Sequence, residues 1–122
     1  MGRVMRRALV LAVLCWTALG AEVVRVVDGD TLVLRLLTYD AGARVWVEAP
    51  ARLLGVDAPE LHGSTRAAGE AARDFTARWV AAGPVAAHVC GADKYGRPLV
   101  RLERGGESLA DALIAAGHAV RR

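Results

Sequence analysis

A chain of 122 residues with a formal net charge of +3 has room for one small domain at most, which excludes a multidomain assembly. Setting aside the basic start, with Arg3, Arg6 and Arg7, leaves 13 Lys plus Arg against 13 Asp plus Glu. A balance near zero rules out the broad basic footprint of most nucleic-acid binders, so any phosphate chemistry must rest on a few placed arginines or on a metal.

In chain order, "MGRVMRR", the apolar run "ALVLAVLCWTAL" and the small residues Ala18, Gly20 and Ala21 read as a secretory signal over residues 1–21, cut before Ala21 or Glu22. The run of about a dozen apolar residues falls short of the roughly 20 that a membrane span needs. A retained signal anchor is the alternative. The product is expected in the periplasm or outside the cell, as one domain over residues 22–122. Cys15 would leave with the signal, so Cys90 is expected as a lone thiol behaving as a small buried apolar residue, with no internal disulfide.

Within the domain, "EVVRVV" and "TLVLRLL" flank "DGD" and read as two strands joined by a tight turn. "YDAGA" is a second turn signal, and "RVWVEAPARLLGV" a third extended stretch with Pro50 at an edge or bulge. The period then changes. In "AAGEAARDFTARWVAAG", Ala68, Ala72, Phe75 and Trp79 share a helical stripe, while Asp74 and Arg78 sit at i, i+4 on an outer face. "PVAAHV" and "PLVRLE" are two more strands around "GADKYGR", and "ESLADALIAAG" is a second helix with Ser108 as N-cap and Gly117 as its stop. "HAVRR" is a last extended piece. Five short strands with a helix between the third and fourth predict an α+β, mainly β fold: a five-stranded oligonucleotide-binding (OB) barrel with two packed helices.

Three segments carry charge where chemistry needs it. In "VVDGDT", Asp28 and Asp30 flank a glycine, as a plain Asp-Gly turn would also have them. In "RLLGVDAPE", Asp57 and Glu60 stand where they either cap the following helix or serve a site, and Arg52 is either a surface residue or part of that site. In "DKYGRP", Lys94 and Arg97 occupy a turn that is basic for solvation or for a ligand. A calcium loop of the EF-hand kind is excluded, because its further ligands are absent. His62, His88 and His118 are scattered, and His88 with Cys90 makes no zinc set. Trp46 and Trp79 read as core residues rather than base-stacking platforms.

The ordered triple of these motifs, with a helix between the last two, closely resembles the staphylococcal nuclease (thermonuclease) family over residues 22–122. The resemblance implies the OB barrel and, residue by residue, a site. Asp30 and Asp57 match the family's calcium-ligating carboxylates, with the backbone carbonyl of Ala58 as a third ligand. Glu60 matches the glutamate that activates or orients the attacking water, and Arg52 and Arg97 match the two arginines that grip the phosphate. Asp28 matches an acid beside the metal's waters, and Lys94 and Tyr95 match contacts to the nucleotide's terminal phosphate and base side. Strict strand alternation would send Arg52 and Asp57 to opposite faces, so a turn or bulge is expected, with Gly55 as its place. The family commonly continues with an aromatic residue and a third helix, which this sequence, ending at Arg122, lacks.

The expected function is a secreted, monomeric, calcium-dependent nuclease that hydrolyses DNA and RNA with little sequence preference and favours single strands. The alternative is a catalytically inactive OB module that binds single-stranded nucleic acid.

Overall fold

The computed structural model describes residues 15–122, so most of the expected signal lies outside the described residues. In chain order these form β1 (Trp16–Thr17), β2 (Gly20–Asp28), β3 (Thr31–Asp40), β4 (Ala43–Leu53) and β5 (Val56–Asp57). A single 3-10 turn (Gly63–Thr65), α1 (Arg66–Ala81), β6 (Ala86–Ala92), β7 (Pro98–Arg104), β8 (Glu107–Ser108), α2 (Leu109–Ala115) and β9 (Val120–Arg121) follow. No helix among the described residues is long and apolar enough to cross a membrane.

The alternation of "TLVLRLL" sets the barrel wall. Leu32, Leu34 and Leu36 on β3 all point inward and are buried. They meet Ala51 and Leu53 of β4, Ala87 and Val89 of β6, and Val100 and Leu102 of β7. Trp79 of α1 and Leu109 and Leu113 of α2 fill out the cluster. Each fully buried leucine contributes about 1.5–3 kcal/mol of transfer free energy, which makes this cluster the main stabilising element of so small a domain.

The principal strands are ordered β6-β7-β4-β3-β2. Every neighbour in that path is antiparallel except β4 with β7, which run parallel at Arg52↔Leu99 and Leu53↔Val100. β2 returns beside β6 without a ladder between them, so the sheet curls round the core as a barrel would. The expected mainly β architecture with two packed helices is present. Pro50 is tolerated because β4 is paired on its second side only at Arg52 and Leu53.

Several local readings change. The buried stripe of α1 is Gly69, Ala72, Thr76 and Trp79, whereas Ala68 is exposed and Phe75 only partly buried. The helix is rotated so that Thr76 can donate its hydroxyl to the Gly29 carbonyl, 2.7 Å away, and so that Gly69 rests on the loop before the helix. Asp74 and Arg78 do face outward, but Asp74 lies nearest Arg73, at 3.9 Å. Trp79 is core; Trp46 is not. Trp46 stands 44% exposed on the outer face of β4, under the Arg35 guanidinium at 5.1 Å. Its register partner Leu37 belongs to the outward row of β3, and alternation alone cannot tell an inner row from an outer one.

Cys90 is not a lone thiol in the described chain. β1 pairs antiparallel with β6, Trp16 opposite Val89, which sets Cys15 against Cys90, and the two form a disulfide. Ser108 caps α2 as expected, accepting the Asp111 N–H at 3.1 Å. The stop at Gly117 is closed by His118 N–H to the Leu113 carbonyl at 2.8 Å.

Candidate functional site

The hairpin turn between β2 and β3 supplies the first acids. Gly29 does not adopt a positive φ, so the glycine is there for a reason other than turn chemistry. A Cβ on it would come within 2.7 Å of the Ala72 Cβ and 2.9 Å of the Ala58 Cβ. Only a glycine lets the turn wedge between α1 and the loop after β5. Asp28 accepts the Asp30 N–H at 3.1 Å, which bends the turn and leaves Asp30 facing inward, 5% exposed.

Asp30 is held on both carboxylate oxygens. Thr31 donates its hydroxyl to Oδ1 at 3.3 Å, and the Ala58 N–H donates to Oδ2 at 2.8 Å. Burial pushes its pKa up to about 6, and the hydrogen bond and charge of Asp28 add to the rise. The Ala58 N–H and Arg52 act in the other direction.

Arg52 stands near the end of β4, opposite Thr31. Its Nη2 donates to the Val56 carbonyl at 3.3 Å, lies 3.2 Å from Asp30 Oδ2, and pairs closely with Asp57 Oδ1. Its Nε is buried with no partner. Two acids 27 positions apart in the sequence thus converge on one guanidinium nitrogen. What turns Asp57 to the same side as Arg52 is Gly55, whose φ of +83° makes the tight corner between β4 and β5. The turn expected at this glycine is therefore the device that assembles the site.

Beside this cluster opens a cleft of about 480 Å³, whose walls include Arg52, Lys94, Tyr95, Arg97 and Arg122. The β6–β7 turn that forms one wall is organised by Asp93, which accepts the backbone N–H groups of Tyr95 and Arg97 at 2.9 Å each and the Arg97 Nε–H at 2.7 Å. Burial raises the Asp93 carboxyl, but these bonds outweigh it, and its pKa is lowered. Tyr95 is 73% exposed, with Lys94 and Arg97 at 5.1 and 5.6 Å from its ring centre. An exposed aromatic ring with two cations close to it suits a nucleobase or ribose beside a phosphate.

Of the nine residues singled out from the sequence, eight sit in or against this assembly. Glu60 does not. Its carboxylate is exposed and pairs with His62 Nε2 at 2.9 Å, outside the cleft wall. Neither Asp57 nor Glu60 caps α1; Thr65 holds the helix entrance by donating its hydroxyl to the Glu60 and His62 carbonyls at 2.8 and 3.1 Å.

A family model described as staphylococcal nuclease homologue matches residues 50–122. The chain belongs to this family. The matched stretch holds Arg52, Asp57, Ala58, Glu60, Lys94, Tyr95 and Arg97; Asp28 and Asp30 precede it, and Asp30 is tied to it by Arg52 and the Ala58 N–H. No curated protein matches the chain in a sequence search. Membership identifies a nuclease or nucleic-acid-binding domain of the staphylococcal nuclease kind.

Sequence reasoning missed three contributors: Arg122, which reaches Asp57; Thr76, which pins the Asp28–Asp30 turn to α1; and Gly69, which seats the loop carrying Ala58 and Glu60. A threonine inside an alanine-rich apolar stripe was the one available signal for the second. The others had none, because Arg122 lies in an unpatterned basic pair and Gly69 reads only as a weak helix former.

Proposed function

We propose that the protein is a calcium-dependent phosphodiesterase that cleaves single-stranded DNA and RNA by in-line attack of water, acting as a monomer. The observation that carries this reading is the meeting of Asp30, Arg52 and Asp57 on one nitrogen at the edge of a cleft walled by Arg97, Lys94 and Tyr95.

The acids fit a hard cation. Among the described residues no three His, Cys, Asp or Glu side chains gather into a closed cage. Asp30 and Asp57 by themselves would hold an ion through part of its shell, with the Ala58 carbonyl as third protein ligand and room for waters and substrate. Burial holds the Asp30 carboxyl against ionisation, and a divalent cation would favour its charged form. Calcium bound there supplies positive charge to the attacked phosphate.

The chain's own groups do the rest. Arg52 lines the cleft and carries a buried Nε–H without a partner, and Arg97 lines the cleft from the β6–β7 turn. Together they stabilise the charge that gathers on the equatorial oxygens as water attacks phosphorus. The new P–O bond forms as the opposite P–O5' bond breaks, leaving a 3'-phosphate and a 5'-oxygen that takes a proton from solvent water to become the 5'-hydroxyl. Glu60 takes the water's proton after its carboxylate leaves His62 and turns inward, a rotation open to an exposed side chain.

The outward pairing of Glu60 is also what favours the rival reading, an OB module that binds single strands without cutting them. Digestion of a labelled single-stranded oligonucleotide separates the two. The enzyme cuts in calcium, stops with chelator and resumes when calcium is restored. Arg52→Ala, Arg97→Ala and Glu60→Gln each lower turnover by roughly 10²-fold or more while circular dichroism stays native. Wild type that binds the strand in calcium and leaves it whole establishes the binding module instead. Export of the domain after removal of residues 1–21 belongs to the same proposal; its support is the basic, apolar and small-residue order of the N-terminus.

A further inference from the structure

The chain reaches the cleft a third time, at its last residues. β9 pairs antiparallel with β5, Val120 opposite Asp57 and Arg121 opposite Val56, and the Arg122 N–H donates to the Gly55 carbonyl at 2.9 Å. The backbone of Arg122 is thereby fixed to the corner that assembles the site. Its side chain forms part of the wall that Arg52, Lys94 and Arg97 also line, and its Nη1 lies 3.4 Å from Asp57 Oδ1.

Resting on the nucleic-acid reading of this cleft, we propose that Arg122 is a substrate-positioning residue that binds a phosphate flanking the scissile one. Arg52 is enclosed, only 15% exposed, with Nη2 engaged by Val56, Asp30 and Asp57. Arg97 is engaged by Asp93. Arg122 is 62% exposed and makes one long contact to a carboxylate that Arg52 already occupies more closely. A guanidinium has five N–H donors in a rigid fork, so most of those on Arg122 remain for a ligand in the cleft mouth. The ligand that suits a planar cation beside an exposed Tyr95 ring and Lys94 is the next phosphodiester of a strand whose scissile phosphate lies deeper, at Arg52.

This role separates from that of a simple brace on Asp57. Binding of a fluorescent, phosphorothioate-protected single strand is measured by anisotropy at fixed calcium, over a salt series, for wild type, Arg122→Gln and Arg122→Lys. Because the readout is binding, it stands whether or not the protein cuts. An exposed charge contact predicts about a two- to fivefold weaker affinity for Arg122→Gln at low salt. Loss of one phosphate contact from a single strand also makes the log-log salt slope shallower by about 0.7. Arg122→Lys keeps the slope, since the charge is retained. Thermal melts confirm that the Arg122→Gln domain is folded; the backbone bond to Gly55 survives that substitution. An unchanged affinity and slope in a folded Arg122→Gln variant overturns the proposal, as does a fall in melting temperature or calcium affinity with no change of slope, which would make Arg122 a brace.

Discussion

Replacing Gly69 by Ala tests whether helix packing sets the position of the catalytic loop. Gly69 is buried early in α1, and an added Cβ would lie 2.4 Å from the Glu60 carbonyl oxygen, 2.7 Å from its carbon and 3.0 Å from the Pro59 carbonyl oxygen. These neighbours are backbone, so relief to ordinary contact requires loop and helix to part by about 1 Å. Two opposed effects follow. Alanine is the better helix former by about 1 kcal/mol, whereas overpacking of this kind costs about 1–3 kcal/mol. The contact here is so short, and its partners so stiff, that the second wins: net destabilisation of about 1–2 kcal/mol is expected. The same displacement moves the loop joining Asp57 and Ala58 to Glu60, and a misplacement of about 1 Å at a reacting centre costs roughly 10² in rate. Urea denaturation gives the first quantity and calcium-dependent strand cleavage the second. Ala68→Gly, one position away on an exposed site, isolates the propensity term and should cost about 1 kcal/mol without loss of activity. If Gly69→Ala instead gains about 1 kcal/mol and cleaves as wild type does, the helix does not bear on the loop and the reasoning fails.

Asp30 makes the metal-free protein pH-sensitive. Its pKa is raised in the fold, to about 6 from 3.8, so the native state holds the proton more tightly than the unfolded chain. Its contribution is fully present below about pH 4 and is lost as pH rises through 6. Denaturant titrations in chelator should show this fall, and Asp30→Asn should flatten it; equal pH profiles for the two proteins would exclude Asp30 as the source. For export, N-terminal sequencing of the product from a secreting host should read Ala21 or Glu22. That cut removes Cys15 and β1, so thiol titration of the same product should find Cys90 free, whereas an intact Met1 on membrane-bound material overturns the export reading.

How much of this was legible follows from which forces are local. The strand at "TLVLRLL", the Ser108 cap and the Gly117 stop depend on neighbours within a few residues, and all three are legible in the chain. The turn at Gly55 was also legible, because two side chains five apart on a strand cannot share a face without one. Trp46 and Ala68 were misread for one common reason. A periodic pattern gives faces but not which of them meets the core, and for α1 the answer came from Thr76 and Gly69 docking on the Gly29 turn and the Glu60 loop.

By itself the sequence determined the family motifs, the mainly β order of elements and the inventory of acids and arginines for phosphate chemistry. Only the tertiary structure decided which of them meet. Asp30, Arg52 and Asp57 come together because β3 pairs with β4 and Gly55 turns the chain back. Arg122 joins them because β9 pairs with β5, and Glu60 stands apart with His62. Long-range pairing depends on a whole sheet curling around its core, a collective free energy that no short window of residues encodes.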